Sequence, residues 1–369
     1  MTEEDAFIPP NTVLKTDDTV QSKCPSCGGY VVYSPEEEKL LCEYCGAKIA
    51  LDMTPSAVHE NDLNECLEQP ELYAAAEDYI PEVTCAQCGA STTFPENTTS
   101  FSCAFCGTPI VLKNSAVRRA WKPEYILPFK IGRKVCNGLF RKWVSSLWFA
   151  PTGFAKNLAA EERMKGVYLP YWTYDANTVT RYTGQRGMSR TVMRTVNGRK
   201  ETQIVTDWYP ASGTISHAFD DVLTPASDSL PRNVSRVLTK WDRENYVAYS
   251  DQFVRGFLTE LYRRDFKACY PSAKAQMEDH ITAVVRADIG GNQQRIFSQN
   301  TTFSAVKFKH ILLPLWISAY RYNNKTYVFA INGRTGQVAG QRPWSVWKIA
   351  LLVIAVLAIL IAIYSNGGA

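Results

Sequence analysis

The chain reads as an α+β protein in three parts: two small N-terminal ribbons, a mixed antiparallel β-rich domain with helices, and one C-terminal transmembrane helix. Three observations predict this. Eight of the eleven cysteines fall into two copies of one pattern. Between 117 and 343, alternating strands come in runs broken by helical periods, which indicates α+β rather than a parallel α/β sheet. Finally, Ile349 to Tyr364 is an unbroken apolar stretch.

The cysteines come first. Cys24-x2-Cys27-x14-Cys42-x2-Cys45 is repeated as Cys85-x2-Cys88-x14-Cys103-x2-Cys106. Each Cys-x2-Cys turn is followed by a glycine (Gly28, Gly46, Gly89, Gly107), which lets the backbone curl around a metal at positive φ. Two such turns brought together by a hairpin supply the four soft ligands that tetrahedral Zn²⁺ takes at about 2.3 Å. The expectation is two structural zinc ions in rubredoxin-like zinc ribbons over 20–50 and 82–113. Four thiolates leave no position for a reactive water. Disulfides would need an oxidising compartment, and Met1-Thr2-Glu3-Glu4-Asp5 has neither the basic nor the apolar region of a secretory signal. Tyr30 to Tyr33 with Lys39 to Leu41, and Thr92 to Phe94 with Ser100 and Phe101, read as the hairpin strands. Each ribbon is too short for a core of its own, so metal binding is expected to supply most of its folding free energy.

Charge divides the chain sharply. Residues 1–116, including a flexible acidic N-terminus over 1–19, carry five basic and nineteen acidic side chains, a net of −14, and the remainder carries +18. Such ribbons repel phosphate, so they read as protein-binding modules, with nucleic-acid contact the alternative. The acidic linker 51–81 holds a short helical stripe at Leu63, Cys66 and Leu67, with Pro55 suited to a first turn. It is a docking helix for a basic partner or a solvated spacer. Cys66, Cys136 and Cys269 have no Cys or His at ligand spacing and read as ordinary small residues.

In the domain over 117–343, Val167 to Tyr174 and Ile311 to Ser318 share a Leu-Pro-x-Trp element, with Leu127-Pro128-Phe129 a weaker echo. Proline is tolerated where a strand begins, so these read as the starts of strands in two related β-rich halves. Asn197-Gly198, Asn323-Asn324 and Asn332-Gly333 read as hairpin turns. Helical stripes lie at 135–147, 227–241, 251–264 and 272–286. Trp143, Trp148, Trp172, Trp208 and Trp316 read as core. The chain has no phosphate-binding glycine loop, nucleophile elbow or metalloprotease helix, and His59, His217, His280 and His310 are scattered singly. Asp220-Asp221 reads as a solvated turn rather than a cation site. No enzyme is expected.

The apolar stretch, extended to 346–364, is long enough to cross a bilayer core of about 30 Å, with Lys348 able to snorkel and Trp344, Trp347 and Tyr364 placed as an aromatic belt. Arg334, Arg342 and Lys348 precede the unbroken run that begins at Ile349, and no charged side chain follows. The positive-inside rule therefore predicts a tail-anchored, single-pass protein of the inner (cytoplasmic) membrane, its N-terminal domains in the cytoplasm. The basic residues Arg118, Arg119, Arg133, Lys134, Arg141, Lys142, Arg163 and Lys165 suit a face toward anionic lipid.

Taken with the Cys-x2-Cys-Gly turns, the motifs Phe140-Arg141-Lys142-Trp143, Trp148-Phe149-Ala150-Pro151, Gly166 to Trp172, Leu312 to Trp316 and Asn332 to Gly336 make the whole chain resemble a bacterial family of tail-anchored double zinc-ribbon proteins. Its members are often labelled as related to the primosomal replication-restart helicase, and this chain lacks the nucleotide-binding loop such a helicase needs. The resemblance implies an adaptor that works with SPFH-domain and phage-shock-type proteins on stressed membranes.

Overall fold

The computed structural model describes residues 23–54, 59–69, 77–93, 100–111, 116–151, 164–196, 199–322 and 325–366. The first ribbon is an antiparallel meander of β1 (Val31–Ser34), β2 (Lys39–Cys42) and β3 (Lys48–Ala50). Next come β4 (Asn61–Asp62) and α1 (Leu63–Glu68), where the Asp62 side chain caps the helix by accepting from the Asn64 and Glu65 amides. The short stripe packs on the body in part, with exposed carboxylates around it. Leu63 and Cys66 of the expected stripe are buried, Leu67 stays exposed, and Pro55 lies outside the described residues.

The second ribbon is framed by β5 (Glu77–Thr84), which pairs with both β6 (Ser91–Thr92) and β9 (Ala116–Trp121). Its other strands, β7 (Ser100–Ser102) and β8 (Pro109–Val111), pair with each other. The hairpin expected between 92–94 and 100–101 is therefore not seen among the described residues, because each strand takes a different partner; Phe94 lies outside them.

After β10 (Tyr125–Ile126) and α2 (Arg133–Ser145) come the long strands β11 (Lys165–Val196) and β12 (Arg199–Pro225). Short elements follow: α3 (Arg232–Ser235), β13 (Val247–Ala248), α4 (Asp251–Val254) and β14 (Leu258–Thr259). The two stripes expected over 227–241 and 251–264 thus form single turns only. Gly256, at φ 85°, takes the chain out of the second. The chain closes with α5 (Phe266–Ile289), β15 (Gln293–Tyr322), β16 (Lys325–Asn332), β17 (Val338–Gly340) and α6 (Val346–Asn366).

The expected two β-rich halves are in fact one mixed sheet of nine strands among the described residues, with the main path β12-β11-β15-β10-β13; β14 lies beside β11, β4 and β16 beside β15, and β17 beside β16. The two Leu-Pro-x-Trp strands are antiparallel neighbours, Leu169 opposite Leu313. Their prolines are inside the strands rather than at their starts. Pro170 falls where β12 ends, opposite Tyr171, and β14 stops, opposite Tyr168. Pro314 falls where β10 stops, opposite Leu312, and β16 ends, opposite Leu315. The Pro170 and Pro314 carbonyls accept from Ala226 and Gly333 on those sides, so each missing N–H faces a gap between two flanking strands.

Alternation along the strands gives the sheet two apolar faces. On one, Tyr168, Leu312, Trp316 and Phe329 pack with Val31, Tyr33 and Leu40 of the first ribbon and Cys136 and Phe140 of α2. On the other, Val167, Leu169, Leu313 and Leu315 pack with Ala90, Ala104 and Phe105 of the second ribbon and Val234 and Leu238. The ribbons cover opposite faces of one sheet. Tyr33 ties the first by donating from its amide to the Arg255 carbonyl at 3.1 Å and from its hydroxyl to the Phe129 carbonyl at 3.0 Å. Backbone bonds from Thr93 to Thr259 (2.8 Å) and from Leu261 to Ser91 (3.0 Å) tie the second.

From Tyr171 opposite Pro225, β11 and β12 stay paired out to Val196 opposite Arg199. β15 accompanies them as far as Gly187 opposite Gln293, beyond which the two strands continue as a bare ribbon. The helix α5 lies along the three-stranded part, burying Met277, Ile281, Val285 and Ile289. The turns read at Asn197-Gly198 and Asn323-Asn324 lie outside the described residues.

Candidate metal centres

Each ribbon brings its four cysteines together. The sulfurs of Cys24, Cys27, Cys42 and Cys45 all lie within 4.8 Å of one another, as do those of Cys85, Cys88, Cys103 and Cys106. Close pairs run across the two turns: Cys24 to Cys45 at 3.6 Å and Cys27 to Cys42 at 3.5 Å, then Cys85 to Cys106 and Cys88 to Cys103 at 3.6 Å. A tetrahedral ion with metal–sulfur bonds of about 2.3 Å separates its sulfurs by roughly 3.8 Å. A disulfide would bring them to about 2.05 Å, and all eight are free thiols. The spacing fits two four-thiolate metal sites.

The backbone builds each half-site the same way. In every turn the first cysteine accepts at its carbonyl from the following glycine, as in Gly28 to Cys24 (2.8 Å) and Gly107 to Cys103 (3.0 Å). Its own amide donates one residue further, Cys24 to Gly29 (2.6 Å) and Cys103 to Thr108 (2.8 Å). The four glycines sit at φ 72 to 75°, where a side chain would be strained. The first sulfur of each turn also accepts from two backbone N–H groups: Ser26 and Cys27 for Cys24, Tyr44 and Cys45 for Cys42, Gln87 and Cys88 for Cys85, Phe105 and Cys106 for Cys103. These donors favour the thiolate. At Cys103 the hydrogen bond from Cys88, aided by the Cys106 and Phe105 amides, outweighs desolvation and pulls the thiol down to about 5.

Among the described residues the same turn also occurs without cysteine. Asn332 donates its amide to Gln337 at 2.9 Å and accepts from Gly336, at φ 72°, at 3.0 Å. Its side-chain oxygen takes the sulfur's place, accepting from the Arg334 and Thr335 amides at 2.8 and 3.1 Å, while its side-chain nitrogen donates to the Lys240 carbonyl at 2.8 Å. Arg334 closes the turn with a bidentate ion pair to Asp242 and a bond to the Pro128 carbonyl.

A third cluster has no spacing signal in the sequence. Glu60, Asp175 and Asp220 offer carboxylates within 4.8 Å of one another. Lys309, whose side chain is 3% exposed, lies 2.9 Å from Glu60 and 2.6 Å from Asp221. Asp175 sits at a β-bulge and accepts from the Asp221 amide at 2.7 Å. Burial, then the hydrogen bond with Glu60, pushes the Asp175 carboxyl up to about 7, so it is protonated at neutral pH more often than an ordinary aspartate. The cluster therefore contains its own cation in Lys309. Asp221, expected in a solvated turn, is buried beneath it.

The histidines divide. His310 is buried and stacked on Trp172 at 4.6 Å, with burial lowering its ring to about 4, which keeps it neutral. His217 and His280, far apart in sequence, meet with ring centroids 4.7 Å apart.

At the other end, Val346–Tyr364 forms a helix of 19 residues with mean hydropathy 2.9 and no part of it buried against the body. It is long and apolar enough to cross a membrane. The ammonium of Lys348, expected to snorkel, donates to the carbonyls of Trp148 (3.0 Å) and Ala150 (2.8 Å).

No protein-family model matches the chain, and no solved structure does. Over 341 residues, 90% of this chain and 92% of the relative, it is 24% identical to an uncharacterized protein, YdjG, of Bacillus subtilis (strain 168), a similarity that spans nearly both chains.

Proposed function

We propose that this chain is a single-pass, membrane-anchored adaptor whose two cysteine quartets are structural zinc sites and whose acidic N-terminal third recruits soluble proteins to the inner membrane. The observation that carries this reading is α6: a 19-residue span, apolar but for Lys348, with none of it buried against the body, a surface that lipid accommodates and water does not. The basic residues Arg334 and Arg342 before the helix favour a cytoplasmic body. Zinc suits closed sets of four thiolates, where it would hold two turns together and supply no reactive site. The net of −14 over residues 1–116 favours a protein partner over nucleic acid. Exposed Glu65 and Glu68 on α1 belong to that acidic surface. SPFH-domain and phage-shock-type proteins are the proposed partners, on the family resemblance. No reaction is assigned to the chain.

Because both ribbons share their cores with the sheet, the test uses the whole protein. It should contain about two zinc ions, one after Cys27→Ser, and should leave the membrane fraction when 344–369 are deleted. Purified SPFH-domain or phage-shock-type protein should bind it in a zinc-dependent manner and bind Glu65→Lys/Glu68→Lys more weakly. Submicromolar, zinc-dependent DNA binding in place of that capture would replace the adaptor with a membrane-tethered nucleic-acid-binding protein.

A further inference from the structure

Trp148 is the tryptophan that departs most from the expected core position. It is 75% exposed, although its neighbours Leu147 and Ala150 are buried and hold the loop to the body. That loop is tied to the start of α6 at three points. The Ser345 amide donates to the Phe149 carbonyl at 2.7 Å, and Lys348 donates to the Trp148 and Ala150 carbonyls. Phe149 also lies against Trp344, ring centroids 6.2 Å apart. Three indoles, those of Trp148, Trp344 and Trp347, are consequently exposed around one helix end, at 75, 56 and 82%.

From this arrangement we infer that the 147–151 loop is a second membrane contact, its Trp148 indole lying in the headgroup layer of the bilayer that α6 crosses. The inference rests on the membrane reading of α6. Tryptophan favours that layer because its ring is apolar and its N–H needs a polar partner. Lys348 is the one ionisable side chain in the first turns of α6. Two backbone carbonyls accept from two of its three N–H groups, so the charge can sit at the lipid boundary with one donor left for a headgroup or water, and the same bonds fix Trp148 at the level of that turn. With one foot in α6 and another in the loop, the body cannot swivel freely about a single helix.

The full chain, reconstituted into phosphatidylcholine and phosphatidylglycerol vesicles with lipids brominated high on the acyl chains, tests this by tryptophan fluorescence. Bromine quenches only indoles near it. Trp148→Phe should remove about a third of the quenchable emission, one of three interfacial indoles, and Trp347→Phe a similar share. Quenching that is unchanged in Trp148→Phe while Trp347→Phe still reduces it would overturn the second contact and leave the anchor standing. Failure of the unaltered chain to float with vesicles, with no quenching at all, would remove the anchor and this inference together.

Discussion

The four Cys-x2-Cys-Gly turns and the Asn332 to Gln337 turn have the same backbone bonds and the same left-handed glycine, yet different chemistry holds them. In the ribbons, sulfurs converge from two turns, and Cys27, Cys45 and Cys88 are exposed. In the third place a carboxamide replaces the sulfur, Asn332 is fully buried and Arg334 nearly so. Burial does not separate them, since the first cysteine of each ribbon turn is buried as Asn332 is. What differs is the partner: the Asn332 carboxamide donates to Lys240 and Arg334 pairs with Asp242, whereas the ribbon sulfurs face one another and suit a shared metal ion.

Chelation is the sharpest way to separate them. Stripping the metal under reducing conditions should cost each ribbon on the order of 10 kcal/mol. Amide exchange over 24–50 and 85–108 should rise sharply, while 332–337 stays protected. Equal loss at all three places would mean that the turns are not independently held.

A substitution should reverse the pattern. Arg334→Ala strands the part-exposed Asp242 and the Pro128 carbonyl and should destabilise the protein by about 3 kcal/mol in urea unfolding, since the buried guanidinium's bonds are lost and its partner is left alone. Zinc content should remain at two per chain. Loss of metal with the arginine would show that the core turn supports the ribbons.

The pH dependence distinguishes the second ribbon. Glu260 is buried beneath it, bridged to Thr92, and accepts from Ser227 and Ser229. Desolvation raises its carboxyl to about 7, against the opposing pull of those hydroxyls and Arg263. The folded chain keeps this proton where the unfolded chain has lost it, so stability falls as pH rises from about 4.5 through 7, by up to roughly 3 kcal/mol. Glu260→Gln should flatten that slope. Metal loss runs the other way, with acid displacing the ion from the thiolates.

The smallest effect belongs to Asn332→Ala, which removes the acceptor of one buried and one part-buried amide and a donor to Lys240 and should cost about 2 kcal/mol. A neutral result in calorimetry would mean that the backbone bonds alone hold the turn.

The parts read correctly from the sequence are those encoded locally. The cysteine quartets repeat at fixed spacing, and α6 is a continuous apolar run, so both needed only a short window of chain. What was hidden depends on pairing across long distances. Pro170 and Pro314 look like strand starts until their strands are seen to lie side by side with gaps in the flanking ladder. Glu60 meets Lys309 across 249 residues, and nothing near either one announces the other. Trp148 looks like core in a window of aromatics, and only the folded chain, which ties its carbonyl to Lys348, leaves its ring exposed.

The bare ribbon has a consequence of scale. β17 runs beside β16 back toward the Tyr322 end of β15, and α6 starts there, whereas β11 and β12 run past the opposite end, at Gln293. About 25 residues of β15 above the α6 end, and nine more in β11, give a contour of up to roughly 110 Å at about 3.3 Å per residue. That exceeds the thickness of the bilayer core more than threefold. On the proposed membrane reading of α6, a partner of the paired ends of β11 and β12 can be engaged at up to that contour from the helix start, and removing two residues from each strand would shorten it in steps of about 7 Å without changing which side chains face which way.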